Sequence, residues 1–319
     1  MRALLNTSKS LNLVDDCPEP KSKRGEVKVR VHSASLNPTD LDIANGDYDF
    51  FLRLYGAKSP IRTGLEFSGT VIKKSKRFKK GDRVFGYTHL MKGPKTHREI
   101  LSIDESYVAL MPEGLSFAEA AAAPIGLQTS YVAWKTLARL NPGDRVLING
   151  GSGGVGVYAI QIAKLVKAHV TAIAGPGGQD LMKTLGADEV YNYRETRIQS
   201  LDQHYDALFD LTCQLKFRAI RHLLRSQGVF IPADPMKNIG DFLGNPFRKK
   251  KTAYLLADRG DHDVLTDLAQ RFGSGEMRAP DSLVFDIADF REAIEAIKRP
   301  GTPGRIVLNF GDRTNQENQ

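Results

Sequence analysis

A run of glycines between a predicted strand and a predicted helix constrains the fold of this chain more than any other feature. Residues 145–149 suit a buried strand, and residues 155–168 carry apolar side chains at helical spacing. Between them, Gly151, Gly153 and Gly156 form the pattern G-x-G-x-x-G. One glycine permits a tight turn, a second lets the backbone approach a ligand, and the third lets the helix pack on the sheet. The pattern predicts a helix N-terminus whose partial positive charge faces an anion.

This loop predicts a site for the pyrophosphate of a dinucleotide, and a purely structural glycine turn is the alternative. The residues expected to contact the cofactor are Gly151, Ser152, Gly153, Gly154, Val155 and Gly156. Gly175, after the next predicted strand, stands where NAD sites usually carry an acid, so nothing there would repel a 2′-phosphate. This favours NADP(H), with a glycine loop of no cofactor preference as the alternative. Tyr193 or Arg194 could reach the adenosine end, although Tyr193 could equally serve only in packing.

Strands and helices alternate through the middle of the chain. Strands are predicted at 145–149, 169–174, 189–193, 205–211, 228–232 and 252–257, and helices at 155–168, 179–185 and 217–226. This alternation predicts an α/β fold with a doubly wound parallel sheet. The first ~110 residues instead contain short strand-like runs, which predict a β-rich, partly barrel-like unit. A chain of 319 residues, 41% of them hydrophobic, is long enough for two domains and too apolar to be disordered.

Composition excludes several classes of protein. Cys17 and Cys213 are the only cysteines, which excludes a disulfide-rich scaffold and a zinc site built from cysteines alone. No segment approaches the ~20 apolar residues of a transmembrane helix, and the first residues do not resemble a secretory signal, so the cytoplasm is the expected compartment. The net charge is +8, with basic runs at 21–24, 73–80 and 248–251. A solvated surface is the first interpretation of these runs, and an anionic partner such as nucleic acid or membrane headgroups is the alternative.

A series of short motifs follows, along nearly the whole chain, the order found in one protein family. The motifs lie at residues 35–40, 64–71, 81–84, 120–124, 142–146, 151–156, 186–193 and 304–308. In this order they resemble the zinc-independent medium-chain dehydrogenases/reductases of the quinone oxidoreductase type, which include NADPH:quinone and alkenal reductases. The glycine loop is the most specific part of the resemblance, and the region expected to bind substrate is the least specific.

The resemblance implies a discontinuous domain organisation. A GroES-like, β-rich, partly barrel-shaped catalytic domain would comprise residues 1–124 and 261–319, with a Rossmann domain of residues 125–260 inserted. Substrate would bind in the cleft between the domains, and the protein would form a homodimer. Zinc-dependent relatives carry a cysteine near position 37 and Gly-His-Glu at positions 64–66. Asn37 and Leu65 cannot replace those ligands, so no metal site is expected.

The expected chemistry follows from this lack of a metal. Without a metal ion, little polarises a plain alcohol or ketone, whereas a conjugated acceptor spreads the incoming charge onto oxygen. The expected activity is NADPH-dependent hydride transfer to a quinone or an α,β-unsaturated carbonyl compound, either an enone or an alkenal. The alternative is an NADPH-binding protein with a mainly non-catalytic role, crystallin-like or RNA-binding.

Four residues are candidates for the reaction through the resemblance. Asn37 could orient the substrate or the nicotinamide ribose, or could be only a turn residue. Tyr48 resembles a pocket tyrosine that donates a proton or hydrogen bond, with loop packing as the alternative. Thr129 lies where relatives place a threonine near the nicotinamide amide, and Ser130 could take that role instead. Arg305 resembles a basic residue that reaches the cofactor from the tail, with a solvent-facing charge as the alternative.

Overall fold

The computed structural model describes residues 1–7, 10–56, 61–234, 236–299 and 304–311. The chain forms two compact units. Unit 1 consists of Met1–Ile125 and Asp258–Gln319, and unit 2 consists of Gly126–Ala257. Unit 1 is therefore built from both ends of the chain, and unit 2 from one continuous segment between them.

The strands are numbered along the described part of the chain. They are β1 (Ala3–Thr7), β2 (Ser10–Val14), β3 (Glu26–Leu36), β4 (Ile61–Arg62), β5 (Glu66–Lys73), β6 (Arg83–Tyr87), β7 (Ile100–Asp104), β8 (Val108–Leu110), β9 (Arg145–Asn149), β10 (His169–Ala174), β11 (Glu189–Asn192), β12 (Tyr205–Asp210), β13 (Leu224–Pro232), β14 (Lys251–Thr252), β15 (Ser282–Asp286) and β16 (Arg305–Asn309).

The α-helices are numbered in the same way. They are α1 (Pro38–Asn45), α2 (Asp49–Leu54), α3 (Phe117–Ala121), α4 (Pro124–Tyr131), α5 (Gly156–Leu165), α6 (Gln179–Thr184), α7 (Phe217–Ile220), α8 (Ile239–Leu243), α9 (His262–Gly273) and α10 (Phe290–Lys298). A π-helical segment, Val132–Ala138, continues α4. Short 3₁₀ turns lie at Glu105–Tyr107, Ile198–Ser200, Arg221–Leu223, Met236–Asn238, Asn245–Phe247 and Ile287–Asp289.

Unit 2 is a doubly wound Rossmann sheet, as the alternation of strands and helices predicts. Its six strands follow the order β11-β10-β9-β12-β13-β14, and every neighbouring pair is parallel. The sheet is built outward in both directions from β9, so the loop after β9 lies at the point where the strand order reverses. In open α/β sheets, ligands bind at this point.

Two predicted elements of unit 2 differ from the structure. The helix expected over 217–226 ends as α7 at Ile220 and continues only as a 3₁₀ turn, because Leu224 already pairs with Tyr205 as the first residue of β13. The strand expected over 252–257 is limited to β14, which pairs with Val229 and Phe230. Both predictions are wrong in extent because pairing with distant strands, rather than local pattern, decides where these elements begin and end.

Unit 1 contains the GroES-like part of the chain. Its main sheet has the order β15-β16-β3-β5-β6-β8, with β7 also pairing with β3, and β2-β1-β4 form a smaller sheet. The long strand β3 pairs with β5, β7 and β16, and register shifts along its pairing with β5 mark bulges that bend it. Apolar residues of β3, β5 and α10 share one buried cluster. Among the residues that the structure describes, no helix combines the length and apolar character needed to cross a bilayer.

Candidate active site

Strand pairing in unit 1 brings together side chains that are far apart in the sequence. β16 runs antiparallel to β3, with Ile306 opposite Leu36. Arg305 and Asn37 each lie one residue beyond this pair, so the two side chains meet. Glu66, the first residue of β5, lies at the same end of the sheet. The sequence analysis named Asn37 and Arg305 as candidates, and the structure places them in contact with each other.

Glu66 is the centre of a closed hydrogen-bond network. Its side chain is fully buried, and its Oε2 accepts hydrogen bonds from Arg305 at 2.5 Å, from Asn37 Nδ2 at 3.0 Å and from the Ser35 hydroxyl. Its Oε1 accepts the N–H of Ile125 at 2.7 Å. Arg305 also donates to Asn37 Oδ1 at 2.8 Å. The carboxylate is thus paired and hydrogen-bonded on both oxygens, as a buried charge requires.

Asp40 and Gly64 complete this network on its α1 side. Asp40 is fully buried, and its carboxylate accepts the backbone N–H of Asn37 at 2.9 Å and of Gly64 at 2.7 Å. Gly64 has a φ of +95°, and a Cβ atom there would lie 2.4 Å from the backbone N of His97. Only glycine can therefore occupy this position without displacing the chain.

His97 is a buried residue of this site that the sequence analysis did not single out. Its Nε2 lies 2.9 Å from the carbonyl oxygen of Ser35, which can only accept, so Nε2 carries a proton. In the neutral ring, Nδ1 then accepts from the hydroxyl of Thr63 at 2.8 Å. His97 therefore fixes the end of β3 through its hydrogen bond to the Ser35 carbonyl oxygen. No motif spacing marks it in the sequence, because its partners lie 34 and 62 residues away.

Tyr48 lies apart from the Glu66 network, in a small apolar cluster. It is half-buried and packs with Ile43, Leu52, Leu90 and Met91. The turn that carries it begins at Gly46, whose φ of +94° ends α1. The structure therefore gives Tyr48 apolar neighbours, which suits the edge of a pocket for an apolar acceptor as well as simple packing.

Two further buried titratable groups were missed by the sequence analysis. Burial raises the pKa of the Tyr87 phenol well above its usual range, and the nearby charges of Glu66 and Asp258 raise it further. Burial lowers the pKa of Lys95 to about 8, although the charge of Asp40 opposes this shift. The Lys95 ammonium donates to the carbonyl oxygen of Leu90 at 2.5 Å. Local sequence gives no signal for either group, because tertiary packing alone buries them.

The residues at the Glu66 network do not fit a zinc ion. Asn37 uses both its amide nitrogen and its oxygen within the network, and Leu65 is a buried apolar side chain. Both Glu66 oxygens already accept hydrogen bonds. Within the described parts of the chain, no group of three or more His, Cys, Asp or Glu residues is arranged to hold a metal ion.

In unit 2, the glycine loop joins β9 to α5 as predicted. Gly150 has a φ of +95° and makes the turn, a role that the G-x-G-x-x-G pattern does not assign to it. A Cβ atom on Gly156 would lie 2.2 Å from the carbonyl oxygen of Gly150, and one on Gly151 would lie 2.7 Å from the sulfur of Met182. Gly153 differs, since it is exposed and its Cβ would meet only the Gly150 carbonyl oxygen at 3.3 Å. Packing alone therefore explains Gly151 and Gly156, but not Gly153.

Helix α4 packs closely against this loop. A Cβ atom on Gly126 would lie 2.8 Å from the carbonyl oxygen of Gly154. The Ser130 hydroxyl donates to the carbonyl oxygen of Val155 at 3.3 Å. Thr129 is buried on the same helix, at 9% exposure. Of the two alternatives, Ser130 is thus the residue with a hydrogen bond to the loop.

The end of β10 carries the residues that were expected to select the cofactor. A Cβ atom on Gly175 would lie 3.1 Å from the ring of Tyr193, so the glycine and the tyrosine are neighbours. The Tyr193 N–H donates to the carbonyl oxygen of Ala174 at 3.0 Å, which fixes the backbone beside β10. Tyr193 and Arg194 are exposed. Gly175 and Tyr193 therefore lie side by side, and Arg194, the next residue along the chain, carries an exposed guanidinium.

Comparisons with known proteins agree with this arrangement. Residues 23–136 match the family described as alcohol dehydrogenase GroES-like domain, and residues 185–308 match the family described as zinc-binding dehydrogenase. The human mitochondrial NAD(P)H oxidoreductase RTN4IP1 is 33% identical, over 89% of this chain and 81% of that protein. A chloroplastic NADPH-dependent alkenal/one oxidoreductase of Arabidopsis thaliana is 32% identical, over 63% of this chain and 53% of that protein. The structure of the quinone oxidoreductase from Coxiella burnetii superposes with a TM-score of 0.85 at 26% identity, covering 98% of this chain and 99% of that one.

Proposed function

Because this chain belongs to the medium-chain dehydrogenase/reductase family of nicotinamide-dependent oxidoreductases, we propose that it reduces quinones or α,β-unsaturated carbonyl compounds with NADPH and without zinc. The observation that carries the proposal is the closed network around Glu66. It occupies the position where the resemblance places the metal of zinc-dependent relatives, and it offers there a neutral amide held by Arg305 and a carboxylate whose two oxygens already accept hydrogen bonds. Relatives named for quinone and for alkenal/one reduction support the substrate class.

The reaction needs a hydride and a proton at different atoms of the acceptor. When bound, NADPH would supply the hydride, either to the β-carbon of an enone or to a quinone. The chain must then orient the acceptor and stabilise the charge that develops on its carbonyl oxygen. We assign the hydrogen bond to that oxygen to Tyr48, whose apolar neighbours Leu90 and Met91 suit the carbon skeleton of such an acceptor.

Asn37 is proposed as a positioning residue for the bound cofactor or substrate. Its Nδ2 donates to Ser35 and Glu66, and its Oδ1 accepts from Arg305. An amide oxygen has two lone pairs, so Oδ1 retains the capacity to accept one hydroxyl, such as that of a ribose. For Thr129 the proposed role near the nicotinamide is shared with Ser130, its neighbour on α4.

The cofactor is proposed to bind at the glycine loop. Its pyrophosphate would lie over residues 152–155, which are partly or fully accessible, at the N-terminus of α5. The preference for NADP(H) rests on the lack of an acid at Gly175 and on exposed Tyr193 and Arg194 beside it. A 2′-phosphate would find an aromatic edge and a guanidinium there, and no repelling carboxylate.

Steady-state NADPH oxidation with a panel of acceptors tests this function. We expect turnover of quinones and of alkenals or enones, and little turnover of the matched saturated aldehydes and ketones. Tyr48→Phe should lower kcat for the enones without weakening NADPH binding. If NADPH binds but no acceptor in the panel is reduced, the chain instead has the non-catalytic role considered above.

The homodimer and the cytoplasmic compartment stay predictions from the resemblance and the sequence. Two of the three relatives named above are by name mitochondrial and chloroplastic. Light scattering on the purified protein measures the oligomeric state, and fractionation of cells expressing it measures the compartment.

A further inference from the structure

Two arginines of unit 1, Arg62 and Arg98, lie side by side although they are far apart in the sequence. The backbone N–H of His97 donates to the carbonyl oxygen of Thr63 at 3.2 Å, and each arginine is one residue beyond this bond. The side chains of Thr63 and His97 bond to each other, and His97 also bonds to the end of β3. Neither arginine takes part in the Glu66 network or the glycine loop, so the proposed reduction gives them no role.

The strand β1 places both arginines on one face. Arg62 pairs with Leu5 of this strand, and Arg98 forms an isolated bridge with Ala3. Residues directly opposite each other in antiparallel strands point their side chains to the same side, and positions two apart on a strand share a face. The two arginines are therefore about 7 Å apart along β1, which lets both guanidiniums contact one ion.

Both guanidiniums have buried nitrogen atoms that lack a partner among the described residues. Arg98 is only 6% exposed, and its Nε is buried without a hydrogen bond, as is the Nε of Arg62. The acid next to Arg98 in sequence, Glu99, is paired with Arg2 at 2.8 Å, and in the described part of the chain no salt bridge includes Arg62 or Arg98. A buried donor without a partner is costly, and a buried charge without one is more so.

The groups around Arg98 do not balance this positive charge. Burial lowers the pKa of Arg98 to about 10, the charge of Arg62 lowers it further, and Cys17 opposes the shift. The buried sulfur of Cys17 accepts a hydrogen bond from Arg62 Nη2 at 3.6 Å. A thiol is a weak acceptor, so it cannot satisfy two guanidiniums. Like charges held side by side repel each other, and an anion that contacts both of them offsets this repulsion.

We propose that Arg62 and Arg98 together bind a tetrahedral oxyanion, either a phosphate group or sulfate. Such an anion has acceptor oxygens on all sides and up to two negative charges, so each planar guanidinium can donate to its own pair of oxygens. A carboxylate fits less well, because it carries one charge against two and its two oxygens lie in one plane. The site lies in unit 1, and the proposal does not depend on the proposed reduction.

Titration calorimetry of the full chain in a buffer without oxyanions tests the proposal. We expect phosphate and sulfate to bind saturably at one site per chain and to raise the melting temperature, and acetate at the same ionic strength to do neither. The phosphate titration is repeated with NADPH present, because phosphate could also bind at the glycine loop, and the binding at Arg62 and Arg98 should persist. Binding of methyl phosphate as tight as that of phosphate would identify the natural ligand as a phosphate ester, and weaker binding would identify it as the free anion.

Substitution of either arginine should remove this binding. We expect Arg98→Met to lower the affinity for phosphate by about tenfold or more and to abolish the phosphate-dependent rise in melting temperature. Arg62→Met should have the same effect, and it carries the test if Arg98→Met does not fold, because Arg62 is less buried. Arg30→Met is the matched control, since it removes an exposed arginine of β3 and should leave phosphate binding unchanged.

Four results would each overturn the proposal. These are a lack of saturable phosphate or sulfate binding, acetate binding as tight as that of phosphate, wild-type phosphate affinity in Arg98→Met or Arg62→Met, and an equal loss of affinity in Arg30→Met. Loss of all phosphate binding when NADPH is present would also overturn it, because the anion would then bind only at the cofactor site.

Discussion

Glu66 and Arg305 form the most buried ion pair of the described residues, with side chains 0% and 10% exposed. Breaking such a pair leaves an unpaired charge buried away from water. We expect Arg305→Met to lower the free energy of unfolding by about 3–5 kcal/mol. The double variant Glu66→Gln/Arg305→Met should lose less than the sum of the two single variants, because their effects are coupled. Urea denaturation of the three variants measures this, and strict additivity would contradict it.

Arg305 also has a second predicted role, since the sequence analysis assigned it to the cofactor. The structure uses its NH2 atom for Asn37 and Glu66. Titration of NADPH against folded Arg305→Lys separates the two roles. An unchanged dissociation constant would leave Arg305 with its structural role alone.

Lys95 gives the stability of the protein a dependence on pH. In the unfolded chain a lysine has a pKa of about 10.4, whereas burial lowers that of Lys95 to about 8 in the folded chain. Between these values the unfolded state binds more protons, so stability rises with pH; below pH 8 the cost of the buried charge is fully present. We expect Lys95→Met to raise the free energy of unfolding by about 2 kcal/mol at pH 7, with the difference shrinking toward pH 10.

Urea denaturation of wild type and Lys95→Met across this pH range measures the effect. Lys92→Met is the matched control, because Lys92 lies in the same loop and is exposed. A difference that stays constant with pH, or that Lys92→Met reproduces, would show that burial of the Lys95 charge is not its cause.

Gly175 should determine which nicotinamide cofactor is preferred. Gly175→Asp places a carboxylate where we propose that the 2′-phosphate binds, and we expect the ratio of NADPH to NADH affinity to fall by about tenfold or more. Gly175→Ala is the control, since its Cβ meets the Tyr193 ring at 3.1 Å but adds no charge. Fluorescence titration of both cofactors measures the ratios. Equal effects of the two variants would show that steric crowding at Gly175, rather than charge, determines the cofactor preference.

At the scale of elements, two glycines of the loop between β9 and α5 are expected to have different roles, Gly156 in packing and Gly153 in ligand binding. Gly156→Ala would force a Cβ to within 2.2 Å of a backbone oxygen, so we expect it to destabilise unit 2 by about 2 kcal/mol or more. In Gly153→Ala the Cβ atom would contact only the Gly150 carbonyl oxygen, at 3.3 Å, so the free energy of unfolding should change by no more than about 0.5 kcal/mol. The variant should nevertheless weaken NADPH binding by about tenfold, because its Cβ would occupy the approach of a phosphate. Unchanged binding in Gly153→Ala would favour the structural alternative for the loop.

Elements with a strong local pattern were predicted well, and those without one were not. β9 and β10 agree with their predicted ranges because alternation and flanking turn residues are local properties. The helix predicted over 217–226 was wrong in extent because residues from Leu224 pair with β12. A short segment of mixed character such as this one suits either element, and only the neighbouring strand decides between them.

At the scale of the whole molecule, the candidate site predicts that no metal is needed. Prolonged dialysis against a zinc chelator should leave the rate of quinone or enone reduction unchanged, because Asn37, Leu65 and Glu66 offer no available ligand set. Metal analysis of the dialysed protein is the control. Loss of activity on dialysis, restored by added zinc, would contradict the proposal.

The sequence by itself determined the Rossmann sheet, its glycine loop and the lack of zinc ligands at positions 37 and 65. These depend on local periodicity, glycine spacing and residue identity, which are visible along the chain. Tertiary structure alone decided that Arg305 meets Asn37 across 268 residues and that Lys95 is buried. Each of these depends on which distant segments pack together, and the energy of that choice is spread over the whole fold rather than over any short stretch of sequence.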